Sequence, residues 1–106
     1  MKGTLIDDTG LQLSPSDNVI TAVRDVKEGT IIHMAGHNIV AREQIEFGHK
    51  IALASISPGG YIRKYGEVIG RASTKISPGE WVHTHNVESC RGRGDITELE
   101  RTSDDE

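Results

Sequence analysis

The sequence predicts an all-β domain of short strands and tight turns, compact and barrel-like or clip-like. Three observations carry that prediction. An eleven-residue phrase is written three times: Ala22–Ile32 reads AVRDVKEGTII, Ala52–Ile62 reads ALASISPGGYI and Ala72–Val82 reads ASTKISPGEWV. Other β-rich runs lie between Gly, Pro and polar residues. No stretch of eleven or more residues keeps a helical period.

Taken in chain order, residues 1–12 read as a flexible lead-in and residues 13–95 as the folded domain. Val19-Ile20-Thr21-Ala22-Val23 is β-branched and reads as the first strand. Each copy of the phrase then has Ala at its start, Val or Ile four residues on, Gly seven on, and a large apolar pair nine and ten on. That pattern is strand, tight turn, strand. Ser57-Pro58-Gly59-Gly60 and Ser77-Pro78-Gly79-Glu80 put Pro second and Gly third, which suits a type II turn. Lys27-Glu28-Gly29-Thr30 is the same turn without proline. Asn38–Arg42, Ile51–Ala54 and Val68–Ala72 are further short strands. Arg42–Phe47 has room for one helical turn at most. The copies are spaced thirty and then twenty residues apart. A solenoid needs a regular period, so the phrase reads as one unit reused inside a compact domain. Residues 96–106, ending Ser103-Asp104-Asp105-Glu106, form an acidic, solvated tail.

Composition limits the function classes. A chain of 106 residues is one domain. Its hydrophobic fraction is 35% and only Phe47, Tyr61, Tyr65 and Trp81 are aromatic. A thin core is expected, with a partner covering some apolar surface. The net charge of −4 and scattered Lys and Arg argue against nucleic acid. Arg91-Gly92-Arg93 is a basic knot flanked by acids. The lone Cys90 excludes an intrachain disulfide and is a soft ligand only as a thiolate. No window has the length and apolarity of a signal peptide or a membrane span. A soluble, cytoplasmic protein is the simplest expectation, and Arg93-Gly94-Asp95 then spells an adhesion tripeptide by coincidence.

The third copy runs into His83-Thr84-His85-Asn86, the densest group of ligand-capable side chains. If Trp81–His85 is a strand, then Trp81, His83 and His85 share one face. Two imidazoles there can bind a metal jointly or hold an anionic substrate; two surface histidines at a strand end are the plain alternative. Asn86 adds an amide that donates and accepts. His49 and Lys50 are adjacent and face opposite ways on a strand, unless the chain bends at Gly48. A solvent lysine beside a satisfied histidine is the plain reading. By the register of the repeats, Arg63, Lys64 and Tyr65 match His83, Thr84 and His85. Lys64 can pair with a carboxylate there, or be an ordinary exposed lysine with Tyr65 covering the core. His33 and His37 flank Gly36, which argues against a helical metal pair. No complete nucleophile triad, phosphate loop or CxxC pair is present.

The runs His49-Lys50-Ile51-Ala52, Lys64-Tyr65-Gly66-Glu67-Val68-Ile69-Gly70 and Gly79-Glu80-Trp81-Val82-His83-Thr84-His85-Asn86 resemble the small amino-terminal domain of altronate and galactarate dehydratases. That domain belongs to the SAF superfamily. Asp17-Asn18-Val19 is similar to the family's opening. The likeness spans roughly Leu13 to Asp95.

The resemblance implies a β-clip fold and a part in dehydrating sugar acids. It implies a small subunit, or an amino-terminal domain, whose site a large catalytic chain completes. It also implies a divalent metal, iron or manganese. His83 and His85 are then the catalytic and metal candidates, and His85 can serve as acid, base or ligand. Asn86, Lys64, Tyr65, His49 and Lys50 are the substrate-binding candidates. A small hydroxy acid is the expected substrate, and a homo-oligomer is compatible with the sequence. A non-catalytic module that binds carbohydrate or hydroxy acid is the competing reading. The α subunit of a sulfolactate sulfo-lyase is another, since it shares the β-elimination logic.

Overall fold

A fourth copy of the phrase, unseen in the sequence, organises the fold. It is Ala41–Ile51, AREQIEFGHKI, with Ala, Ile, Gly and Ile at the repeated places. Lys50 stands where the other copies carry a large apolar residue. That substitution, and the charges of Arg42, Glu43 and Glu46, hide the phrase. The computed structural model describes residues 3–34 and 36–88. It places no helical turn at Arg42–Phe47: Ile45 there makes an isolated bridge to Val26.

The described residues form ten strands and no helix. They are β1 (Thr4–Ile6), β2 (Gly10–Gln12), β3 (Val19–Ala22), β4 (Ile31–Met34), β5 (His37–Val40), β6 (Lys50–Ala52), β7 (Tyr61–Lys64), β8 (Glu67–Ala72), β9 (Trp81–Val82) and β10 (Val87–Glu88). Sheet order is β1-β2-β3-β6-β9, with β10-β8-β7 and β4-β5 as smaller sheets, all antiparallel. The segment expected to be a loose lead-in thus supplies β1 and β2 at the edge of the largest sheet. Cys90, Arg91-Gly92-Arg93, Arg93-Gly94-Asp95 and the acidic tail lie outside the described residues.

The four copies pair two by two. Val26 and Ile45 exchange both backbone hydrogen bonds, and so do Ile56 and Ile76. Around the first pair, Gly29 N–H donates to Ala41 O and Gly48 N–H to Ala22 O; around the second, Gly59 N–H donates to Ala72 O and Gly79 N–H to Ala52 O. Every copy closes the same turn: Thr30, His49, Gly60 and Glu80 each donate to the carbonyl three residues back. The glycine before each of those donors has φ between 85° and 89°, where a side chain is disfavoured. The chain is therefore two similar lobes, Ala22–Ile51 and Ala52–Val82, each holding two copies joined by a hairpin. The second lobe is one residue longer. The extra residue is Ile69, a bulge in the β7-β8 hairpin where Ile62 faces Gly70 and Arg63 faces Val68.

Each lobe has its own core. Ile20, Ala22, Val26, Ile32, Ile39, Ala41, Ile45, Ile51 and Leu53 fill the first. Val19, Ala52, Ile56, Ile62, Ala72, Ile76 and Val82 fill the second. β3 and β6 run between them, so neighbouring residues on one strand serve different cores. Ile20 and Ile51 face the first lobe; Val19 and Ala52 face the second. This two-sided burial at the middle of the sheet fixes what β6 and β9 can present at their ends.

Candidate functional site

β9 stops after Val82, and the site begins there. The strand anticipated through His85 gives way to a turn at His83–Asn86, closed by Asn86 N–H donating to His83 O at 3.1 Å. The Asn86 side chain holds that turn from inside. Its Oδ1 accepts from His83 N–H at 2.9 Å, and its Nδ2 donates to Trp81 O at 2.8 Å. Asn86 is 3% exposed, so both ends of the amide serve the turn. This gives it a positioning task in the turn.

The rings gather on Trp81 all the same. His83 stacks on the indole with centroids 5.0 Å apart and planes 12° from parallel. His85 lies tilted against it at 4.9 Å. His49, from the turn before β6, contacts Trp81 and His83, each at 5.4 Å. β6 pairs Ile51 with Trp81, and this register brings His49 beside the indole. The indole Nε1–H donates to His49 Nδ1 at 3.0 Å. Glu43 accepts from Trp81 N–H at 3.2 Å. Beside the cluster is a cavity of about 320 Å³ lined by Gln44, Glu46, His49 and Trp81. His83 and His85 are exposed next to it.

Lys50, Lys64 and Tyr65 form a second group. Lys50 precedes Ile51 on β6 and pairs with Val82, so it shares the pleat of Ala52 and faces the second lobe. The imidazoles gather on the first-lobe side. Burial pushes the Lys50 ammonium below its usual range, and the nearby charge of Lys64 adds to this. Lys64 Nζ lies 5.8 Å from the centre of the Tyr65 ring. Tyr65 occupies the tip of the β7-β8 hairpin at φ 59°, a region unfavourable to a bulky side chain. Asp17 holds it there. The carboxylate, 5% exposed, accepts from Tyr65 N–H at 3.0 Å, Gly66 N–H at 2.8 Å and Ser14 N–H at 3.1 Å. Asn18 adds two bonds, Nδ2 to Tyr61 O and Arg63 N–H to Oδ1.

Among the described residues no three His, Cys, Asp or Glu side chains converge. His49 Nδ1 is already taken by the indole. The described residues do not make a metal centre by themselves. His33 and His37 lie on the two strands of a hairpin, and His33 Nδ1 is 2.7 Å from Asp7 Oδ2.

The sequence profile of the altronate/galactarate dehydratase SAF domain matches residues 8–90. The chain belongs to that family. It is 43% identical over 79 residues to altronate dehydratase of Bacillus subtilis and 36% identical over 77 residues to that of Escherichia coli. These alignments cover 74% and 73% of this chain but 16% of each relative. The SAF domain thus spans about a sixth of those enzymes. It is also 38% identical over 53 residues to the (2R)-sulfolactate sulfo-lyase subunit alpha of Paracoccus pantotrophus, half of this chain and 79% of that subunit. The relatives that match most of the chain are dehydratases, which are hydro-lyases. No helix among the described residues is long and apolar enough to cross a membrane.

The sequence pointed to His49, His83 and His85 as candidates and set His83 and His85 on the face of Trp81, but it did not bring His49 there. It did not point to Gln44, Glu46 or Glu43. The hidden fourth copy was the available signal: it sets Glu46 at the start of the turn that ends in His49.

Proposed function

We propose that this SAF domain supplies one wall of a sugar-acid dehydratase site that a larger chain completes. The observation that carries the proposal is the gathering of His49, His83 and His85 on one indole beside an open cavity. Dehydrating a hydroxy acid removes a proton next to a carboxylate and expels the β-hydroxyl. Both steps need a group that moves a proton near the substrate. His83 and His85 are exposed and imidazole-bearing, so they take that part, with His85 handling the proton and His83 held by the indole stack. Asn86 sets the turn that aims them. His83 and His85 would be this chain's candidate ligands for the iron or manganese that the resemblance implies, with the remaining ligands from the larger chain, and no step here passes through it. Lys50 and Lys64 form a separate cationic locus suited to a carboxylate.

The test is reconstitution. The chain, mixed with the large chain of an altronate-type dehydratase lacking its own SAF domain, is expected to restore water loss from altronate or galactarate. His85→Ala should then lower kcat by about a hundredfold or more. Undiminished turnover in that variant removes His85 from the mechanism.

A second reading rests on coverage. The 53 residues aligned with a sulfo-lyase α subunit are 38% identical and cover 79% of that subunit. Release of sulfite from sulfolactate, with no water loss from altronate, favours that reading. A non-catalytic hydroxy-acid module would bind altronate alone and leave turnover unchanged in every combination.

A further inference from the structure

We infer that Trp81 is a positioning residue that fixes His49 as a hydrogen-bond donor, making the cavity a subsite for the hydroxylated end of its ligand. This rests on the hydroxy-acid reading above. The indole nitrogen can only donate. Its partner, 3.0 Å away, is His49 Nδ1, so Nδ1 carries the lone pair. In the neutral ring the proton then sits on Nε2, a tautomer assigned by the partner. No nitrogen of His49 is left with a free lone pair for a cation. What remains is an N–H that seeks an oxygen.

The other lining groups fit the same ligand. Glu46 offers a carboxylate, which accepts; Gln44 offers an amide, which does both. A hydroxyl donates and accepts, so neighbouring hydroxyls satisfy His49, Glu46 and Gln44 together. A carboxylate would be repelled by Glu46. The indole offers an apolar face to C–H groups of such a chain, as far as His83 leaves it open. The cavity therefore takes the polyhydroxylated end of a hydroxy acid and directs its carboxylate elsewhere.

Nuclear magnetic resonance on the ¹⁵N-labelled 106-residue chain tests both parts. Above the pH range where imidazoles titrate, a scalar coupling across the hydrogen bond is expected between Trp81 Nε1 and His49 Nδ1. A proton on His49 Nδ1, or no coupling, overturns the assignment. Galactitol, a neutral polyol, should shift the Trp81 indole and His49 Nε2 signals, while succinate, which has carboxylates but no hydroxyl, should not. Trp81→Phe keeps an aromatic ring, loses the donor, and should weaken galactitol binding about tenfold. Should that variant not fold, the wild-type coupling and the two ligands decide alone. Succinate matching galactitol, or galactitol failing to bind, overturns the ligand class. An intact coupling with galactitol binding, but no turnover with the large chain, would sink the proposed function and leave this inference standing.

Discussion

The two lobes repeat their backbone bonding nearly bond for bond, yet differ in what they hold. In both, paired copies exchange the same hydrogen bonds and close the same glycine turns. The returning copies end differently: Lys50 in the first lobe and Trp81 in the second occupy the same place in the phrase. Lys50 puts a half-buried cation against the second core, and Trp81 builds a platform for three imidazoles. The hairpins differ too. Asp17 and Asn18 bind the tip and stem of the second, whereas the first receives Asp7 at His33. The scaffold is shared, and the chemistry comes from single places where the copies depart from one another.

The equivalent turn glycines offer the severest test of the shared scaffold. Gly48 and Gly79 have φ of 86° and 89°, so Ala costs roughly 1–2 kcal/mol at either from backbone conformation alone. A Cβ on Gly48 meets nothing within 4 Å, whereas one on Gly79 runs into the backbone carbonyl of Val40. Gly79→Ala should therefore cost at least about 2 kcal/mol more than Gly48→Ala. Urea midpoints at unchanged slope measure the difference. Equal losses would mean that the second lobe's turn does not press on β5 as described.

The hairpin tethers come next in size. Asp17→Ala strips three backbone N–H groups of their acceptor and should cost about 3 kcal/mol. Asp7→Ala should cost far less, because Asp7 is exposed. Its carboxyl is held below the usual range by the backbone and side-chain hydrogen bonds of His33. The stability Asp7 contributes is present above the ordinary carboxylate range and is lost as pH falls through its lowered value. Asp7→Asn should thus lower the neutral plateau slightly and leave the low-pH end unchanged, which flattens the acid limb. Chemical denaturation at several pH values gives both results. A plateau loss for Asp7 equal to that for Asp17 would abolish the contrast between the hairpins.

These differences explain which parts of the fold are legible in the sequence. The glycine turns were legible because Gly and Pro at fixed offsets specify a backbone shape locally. The fourth copy was not, because one lysine replaced the residue that completes the phrase. β1 and β2 were illegible for another reason. Thr4–Ile6 and Gly10–Gln12 are too short to show a period, and they are strands because β1 pairs with β2 and β2 with β3. The histidines were legible as types, but their meeting was not. A strand through His85 would have brought them together by alternation; a turn pinned by buried Asn86 does it instead. Asp17-Asn18 was visible as a pair, but beyond the local Ser14 contact its side-chain partners lie more than forty residues away.

The smallest expected effect concerns Lys50, where the symmetry between the lobes breaks. Its folded-state pKa lies below the ordinary lysine value, chiefly through burial and then through Lys64. Between those two values the unfolded chain binds the extra proton, so Lys50's contribution to stability rises with pH there. Below that window the charged, half-buried ammonium is a standing penalty. Lys50→Met keeps the length and apolar stem of the side chain and removes the charge. It should raise stability slightly at neutral pH and flatten the alkaline rise, and Lys64→Met should do the same to a smaller extent. Thermal or urea denaturation of the three proteins at neutral and alkaline pH compares them. A Lys50→Met chain that is less stable at neutral pH would show that the ammonium has a favourable partner. Lys50 would then be a structural element of the second lobe, and the proposed cationic locus would be lost.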